Sequence, residues 1–175
     1  MTELTDLENT IKLLQKEVTK LKDIEAIKTV KNKYWRCIDR KLWDDLGGCF
    51  AEDIEADYDA VPRKPKGRKA LVEFLRQTEG AATYSVSHEG HNAEIELTSE
   101  TTARGLWTFH DYQIILPDTR RSGWGHYENE FVKQVDEWKI KKIHLIFDCR
   151  EERFEKLGVA IGEMYERDPR HVRKT

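Results

Sequence analysis

The sequence predicts an α+β domain on three observations. Helical periodicity fills the first third of the chain. Strand-like alternation fills almost everything after His88, and turn residues separate those strands at intervals. Helices first and a multi-stranded antiparallel sheet after give an α+β domain. A length of 175 residues suits one domain with a full core.

Taken in order, Leu4, Leu7, Ile11, Leu14, Val18 and Leu21 recur at alternating steps of three and four. That is a heptad seam on a polar helix, readable either as packing on its own domain or as a contact between subunits. The pattern broadens through Ile24, Ile27, Val30, Tyr34 and Ile38, as a helix does on entering a core. Residues 42–46 read as a short second helix, with Gly47-Gly48 expected to end it in the left-handed conformation. FAEDIEADY (50–58) alternates as a first strand, and GRKALVEFLRQ (67–77) puts Leu71, Phe74 and Leu75 on one helix face. Four strands are then expected at about Ala93–Leu97, Thr102–Ile115, Gly123–Gln134 and Trp138–Phe147, with turns at Ser99-Glu100, Pro117-Asp118 and Asp136-Glu137. From Glu151 the spacing of Phe154, Leu157, Ile161 and Met164 predicts a last helix, ended by Asp168-Pro169. The organisation is a helical extension over 1–22, a domain over 23–150, and a helix with tail over 151–175.

Acids and bases are interspersed and the formal net charge is −3, which excludes the basic footprint of a nucleic-acid binder. The basic run 63–69 reads as a solvated loop entering a helix. No apolar run is long enough to span a bilayer. Cys37, Cys49 and Cys149 lack metal-ligand spacing, and an odd sparse set points to reduced thiols in the cytoplasm.

Three residues carry the chemistry. Tyr34 and Asp39 lie in Lys-Tyr-Trp-Arg-Cys-Ile-Asp, and His88 in Ser-His-Glu-Gly-His. A histidine beside a carboxylate moves protons, because the carboxylate fixes the tautomer and raises basicity, while a tyrosine can hold a substrate oxygen. Five residues of helix separate Tyr34 from Asp39 by roughly 140°, so one site needs the helix to end near Asp39. Otherwise Asp39 pairs on the surface with Arg36 or Arg40, and His88 is a core or surface histidine. His88 and His91 suggest a metal, but no further ligand follows at a familiar spacing, and no metal is expected.

DIEAIKTVKNKYWRCIDRKLWDDL, SHEGHNAEIELTSETTARGLW and GWGHYENEFVKQVDEWKI resemble the SnoaL-like branch of the NTF2-like superfamily, from about Asp23 to about Ile143. Within it the chain looks like bile-acid 7α-dehydratase and related Asp–His lyases. The resemblance implies a cone, a curved antiparallel sheet around a cavity plugged by the N-terminal helices. It implies catalysis by Tyr34, Asp39 and His88 without a cofactor. His110 stands where the bile-acid enzyme has a carboxylate, and reads either as a second acid or base or as a solvent-facing residue. Walls are expected from Trp35, Trp43, Phe50, Tyr58, Phe74, Trp107 and Phe109, with Trp43, Tyr58, Trp107, Phe109 and His110 as substrate-binding residues. The implied function is a lyase acting on an aromatic or polycyclic small molecule, by dehydration or by formaldehyde-releasing retro-aldol cleavage. An isomerase or polyketide cyclase and a non-catalytic binding module remain alternatives. A homo-oligomer is expected, as a trimer before a dimer.

Overall fold

The structure is a computed structural model and describes residues 2–59, 61–62 and 64–154. Helix α1 (Thr2–Asp39) runs without interruption from the seam to the site. Residues 3–22 are all exposed, and burial begins at Asp23. There the carboxylate Oδ1 accepts from Trp138 Nε1 and from Lys133 Nζ, both at 2.8 Å, which anchors the helix to the sheet. Burial pushes the Asp23 pKa up, but those two donors more than offset it and hold the carboxyl below its ordinary value. Beyond this anchor Ile27, Val30, Tyr34 and Ile38 face the core.

The end of α1 sets the site. Leu42 N–H donates to Cys37 O (2.7 Å) and Lys41 N–H to Ile38 O (2.9 Å), a Schellman closure with Lys41 in the left-handed position at φ 54°. A lysine has no glycine-like freedom there. Its amine compensates by donating to the carbonyls of Ala81 and Tyr84. The helix therefore stops at Asp39, which frees that carboxylate to turn toward the sheet.

Helix α2 (Trp43–Leu46) follows, then a 3₁₀ turn at Gly47–Cys49. Gly47 is right-handed (φ −56°), not left-handed as expected, because the chain winds on into the 3₁₀ turn. Strand β1 (Phe50–Tyr58) leads to α3 (Arg68–Glu79), which buries Leu71, Phe74 and Leu75 against it. Strands β2 (Tyr84–Leu97), β3 (Thr102–Ile115), β4 (Thr119–Gln134) and β5 (Glu137–Phe154) complete a curved sheet in the order β1-β5-β4-β3-β2. All neighbours are antiparallel except β1 and β5, which pair in parallel. The expected antiparallel sheet is thus mixed at one edge. The helices lie on its inner face, and the core of Phe50, Trp107, Phe131 and Ile140 sits between the layers.

Three boundaries differ from the expectation. β2 begins nine residues early (93 − 84), at Tyr84, because an irregularity between His91 and Glu94, with Asn92 at φ 52°, breaks its alternation. β4 begins at Thr119 and β5 extends to Phe154 because these ends pair with each other. Glu151–Phe154, expected to open a helix, is therefore strand, and Leu157, Ile161, Met164 and Asp168-Pro169 lie outside the described residues. The last hairpin turns on Val135 (φ 48°) and Asp136 (φ 63°), the left-handed pair of a two-residue connection.

Gly90 shows how α1 reaches the sheet. A Cβ there would meet the Trp35 ring at 2.0 Å, so the indole fits only over a bare backbone. Gly90→Ala is expected to destabilise by about 1–3 kcal/mol through overpacking. Urea unfolding measures it, and a loss under about 0.5 kcal/mol would mean that Trp35 moves freely away.

Candidate active site

Strand alternation decides which side chains reach the interior. On β2 and β3 the inward positions include Tyr84, Val86, His88, Phe109 and Asp111. His88 and Asp111 are direct register partners, so imidazole and carboxylate sit side by side. Opposite them on β4, Gly123 faces Asp111 and Gly125 faces Phe109. A Cβ at Gly123 would come within 2.6 Å of both Asp111 Oδ1 and the Phe147 ring. The missing side chain leaves room for these groups.

The result is a cavity of about 210 Å³ between the sheet and the helices. Tyr34, Tyr58 and Tyr127 form its deep end, where the Tyr34 and Tyr58 hydroxyls lie 3.1 Å apart. Burial pushes all three phenols above their ordinary pKa, which keeps them as neutral donors. Phe74, Phe109 and Phe147 supply apolar wall. Toward the surface stand Arg121, paired with Glu152 at 3.0 Å, and Arg150, laid over the Phe147 ring at 4.5 Å.

Asp39 grips His88 with both carboxylate oxygens. Oδ1 accepts from Nδ1 at 2.5 Å and Oδ2 from the His88 backbone N–H at 3.3 Å. An ionised carboxylate only accepts, so the ring proton is on Nδ1 and the Nε2 lone pair is left for the cavity. The imidazole is 6% exposed. Burial alone would lower its pKa. The Asp39 hydrogen bond and the charges of Glu79, Asp39 and Asp111 outweigh that and raise it above the ordinary value.

Of the residues picked from sequence, Tyr34, Tyr58, His88 and Phe109 line this cavity, and Asp39 stands behind His88. Trp43, Trp107 and His110, expected to bind substrate, do not line it. Trp43 packs on the outside of the core, and Trp107 is buried against Trp35, their rings 6.4 Å apart. His110 lies on the outer face of the sheet, stacked on Trp124, with Nε2 2.8 Å from Ser122 Oγ. His126 lies on the same face, paired with Asp148 at 2.9 Å. A larger, open groove of about 630 Å³ also occupies that face, lined by charged residues such as Glu96, Arg104, Glu130 and Lys142. No group of three potential metal ligands occurs among the described residues.

Sequence reading missed Asp111, Glu79, Tyr127 and Arg150. A signal existed for Asp111. Trp107 and Phe109 had been placed inward, and residues two apart share a face, so the next inward position is Asp111 and not His110. The carboxylate absent at His110 is therefore present one residue later, 3% exposed and accepting from Gln113 Nε2. Glu79 carried a signal too, since it lies four residues after Leu75 and eight after Leu71, on the apolar face of α3.

The fold and the chain's relatives agree. The SnoaL-like domain family matches residues 19–144. Among solved structures, a protein of Novosphingobium aromaticivorans named for scytalone dehydratase superposes with a TM-score of 0.72 at 23% identity, over 82% of this chain and 99% of its own. A type 2 hexachlorocyclohexane dehydrochlorinase superposes at 0.73 with 16% identity, over 82% and 99%. A type 3 form of that enzyme from Novosphingobium barchaimii gives 0.70 at 15%, over 81% and 94%. At these identities the likeness establishes fold alone. With most of its length inside the family match and its sheet curved around a cavity, this chain belongs to the SnoaL-like family and has the NTF2-like cone fold.

Proposed function

We propose that this protein is a cofactor-independent lyase in which the Asp39–His88 pair is the base and Tyr34 with Tyr58 holds the substrate oxygen. The observation that carries this reading is the pair itself. Both oxygens of Asp39 are used to orient one buried imidazole whose second nitrogen is left to an otherwise aromatic cavity. His88 Nε2 removes a proton next to a carbonyl. The neutral phenols of Tyr34 and Tyr58 donate to the oxygen on which charge develops, in a site walled largely by aromatic rings. The bond to a β-hydroxyl then breaks, and the leaving oxygen takes a proton from a donor in the cavity and departs as water. In the retro-aldol variant the same base takes a hydroxyl proton and a carbon–carbon bond breaks, releasing formaldehyde. The three structural relatives above are named for eliminations, of water or of hydrogen chloride, which supports the lyase class over other uses of the cone.

The space favours a compact substrate. About 210 Å³ is below the ~300–1,000 Å³ of pockets that enclose drug-sized ligands. One aromatic ring with a short oxygenated side chain fits better than a steroid. Assembly through α1 belongs to the same proposal. Its seam is exposed from Leu4 to Leu21, and Ile11 and Val18 alternate with Leu7, Leu14 and Leu21, an order that favours two parallel strands. A dimer joined there differs from the trimer that the family resemblance implies.

The test is mass spectrometry of wild type and His88→Ala against one-ring β-hydroxy ketones, phenolic polyketides and lignin-derived diaryl diols. Loss of water or formaldehyde with wild type only is the expected result. An isomerised product of unchanged mass would replace the lyase by an isomerase or cyclase. Binding without conversion would leave a ligand-binding module.

A further inference from the structure

Glu79 is the last residue of α3, and its side chain lines the cavity with Tyr34, His88 and Asp111. Its Oε2 is buried and has no hydrogen-bond partner among the described residues. A buried carboxyl oxygen left open inside a cavity is a bonding position waiting for something in that cavity. Its placement disfavours the anion, because the carbonyl end of a helix carries partial negative charge. We propose that Glu79, in its protonated form, is the hydrogen-bond and proton donor of this cavity and acts on a carbonyl or departing hydroxyl oxygen of the ligand.

The electrostatics agree. Burial pushes the Glu79 carboxyl up to about 7, and the carboxylates of Asp111 and Asp39 add to this against the opposing pull of His88 and Lys41. Tyr58, Tyr84 and Tyr127 also face it, and their phenols stay neutral across the same range. Arg121 and Arg150 share the cavity.

The catalytic half of this role rests on the lyase reading above. His88 Nε2 takes the proton from carbon, and that C–H electron pair becomes the new C=C bond. The C–O pair leaves with the oxygen, which takes the Glu79 proton and departs as water. Imidazolium and carboxylate then reset by passing one proton between them, so nothing outside the site is consumed. Two acid–base groups with environments tuned in different ways can serve as opposite partners in one reaction.

The binding half is tested without turnover. The probe is 4-methoxyacetophenone, a one-ring ketone that does not titrate, measured by calorimetry at pH 6 and pH 9 with wild type, Glu79→Gln and His88→Gln. Wild type and His88→Gln are expected to bind at least about tenfold more weakly at pH 9, as the donor loses its proton. Glu79→Gln keeps an N–H donor of the same shape, so its binding should survive and become independent of pH. Equal wild-type affinity at both pH values, a dependence that persists in Glu79→Gln, or no binding at pH 6 would each overturn the proposal. On any compound the enzyme converts, Glu79→Gln should lower kcat by about 10²-fold or more, with KM little changed. If wild type eliminates nothing but the pH signature holds, the lyase reading falls while the donor role of Glu79 stands.

Discussion

An Asp39→Asn variant is expected to lose about 10³–10⁴-fold in turnover while folding normally, the scale seen when the orienting aspartate of a hydrolytic triad is amidated. The reason is geometric. Asp39 offers two acceptors, and His88 uses both, one for its backbone N–H and one for its ring. An asparagine offers one acceptor and one donor. If its oxygen stays on the backbone N–H, its amide nitrogen faces Nδ1 and drives the ring proton to Nε2. The nitrogen that faces the cavity then carries a hydrogen and cannot accept one. The carboxylate is also lost as a counter-charge, so the His88 pKa should fall, and the pH at which activity rises should move down with it. The measurement is kcat against pH on a compound that wild type converts, with circular dichroism as the fold control. A loss below tenfold with an unshifted profile would remove Asp39 from the mechanism.

The second large effect concerns stability. Lys31 is fully buried one turn before Tyr34, and its amine has no hydrogen-bond partner among the described residues. It lies in a cage of four rings, 3.5 Å from the centroid of Tyr127, 4.6 Å from Trp35, 4.8 Å from Tyr34 and 5.8 Å from Trp107. Rings favour the ammonium and burial opposes it. Each well-placed ring contributes about 0.5–2 kcal/mol. Full removal of an ammonium from water costs several kcal/mol even after relaxation. Burial wins, and the Lys31 pKa falls well below its ordinary value of 10.5.

Lys31→Met fills nearly the same volume without the unpaired amine. It is expected to stabilise the fold by about 1–3 kcal/mol at pH 7. The pH dependence gives a sharper test. Below 10.5 the unfolded lysine holds a proton that the folded one has released, so the unfolded state binds more protons and wild-type stability from this group rises with pH. The advantage of the methionine therefore shrinks as pH rises toward 10. Urea unfolding of both proteins at pH 7 and pH 9.5 reads it. An equal difference at both values would mean that Lys31 keeps its charge in the cage. A variant that is more stable but inactive would show that the cage also serves the tyrosines above it.

The elements most legible in the sequence were those whose pattern repeats. The 3.6-residue period of α1, the two-residue alternation of β1 and β3, and the Leu71-Phe74-Leu75 face of α3 all appear as read. Reading failed where pairing overrode composition. Glu151–Phe154 is charged and spaced like a helix, yet it follows β4 because Thr119–Ser122 is there to bond it. Within the site, Tyr34, Asp39 and His88 could be picked from their settings, but their convergence depends on Lys41 closing the helix after Asp39. Gly123 is a position where a side chain would crowd Asp111 and Phe147 in the cavity, which only the register across β3 and β4 makes evident.

The unbroken path of α1 has a mechanical consequence. Its 38 residues make a rod about 57 Å long, with an apolar grip at one end and the carboxylate that steers His88 at the other. No hinge lies between them. Whatever holds the grip inherits a fixed bearing toward the cavity. One residue inserted between Leu21 and Asp23 would swing that grip by about 100° around the rod while leaving every contact of Asp39 in place.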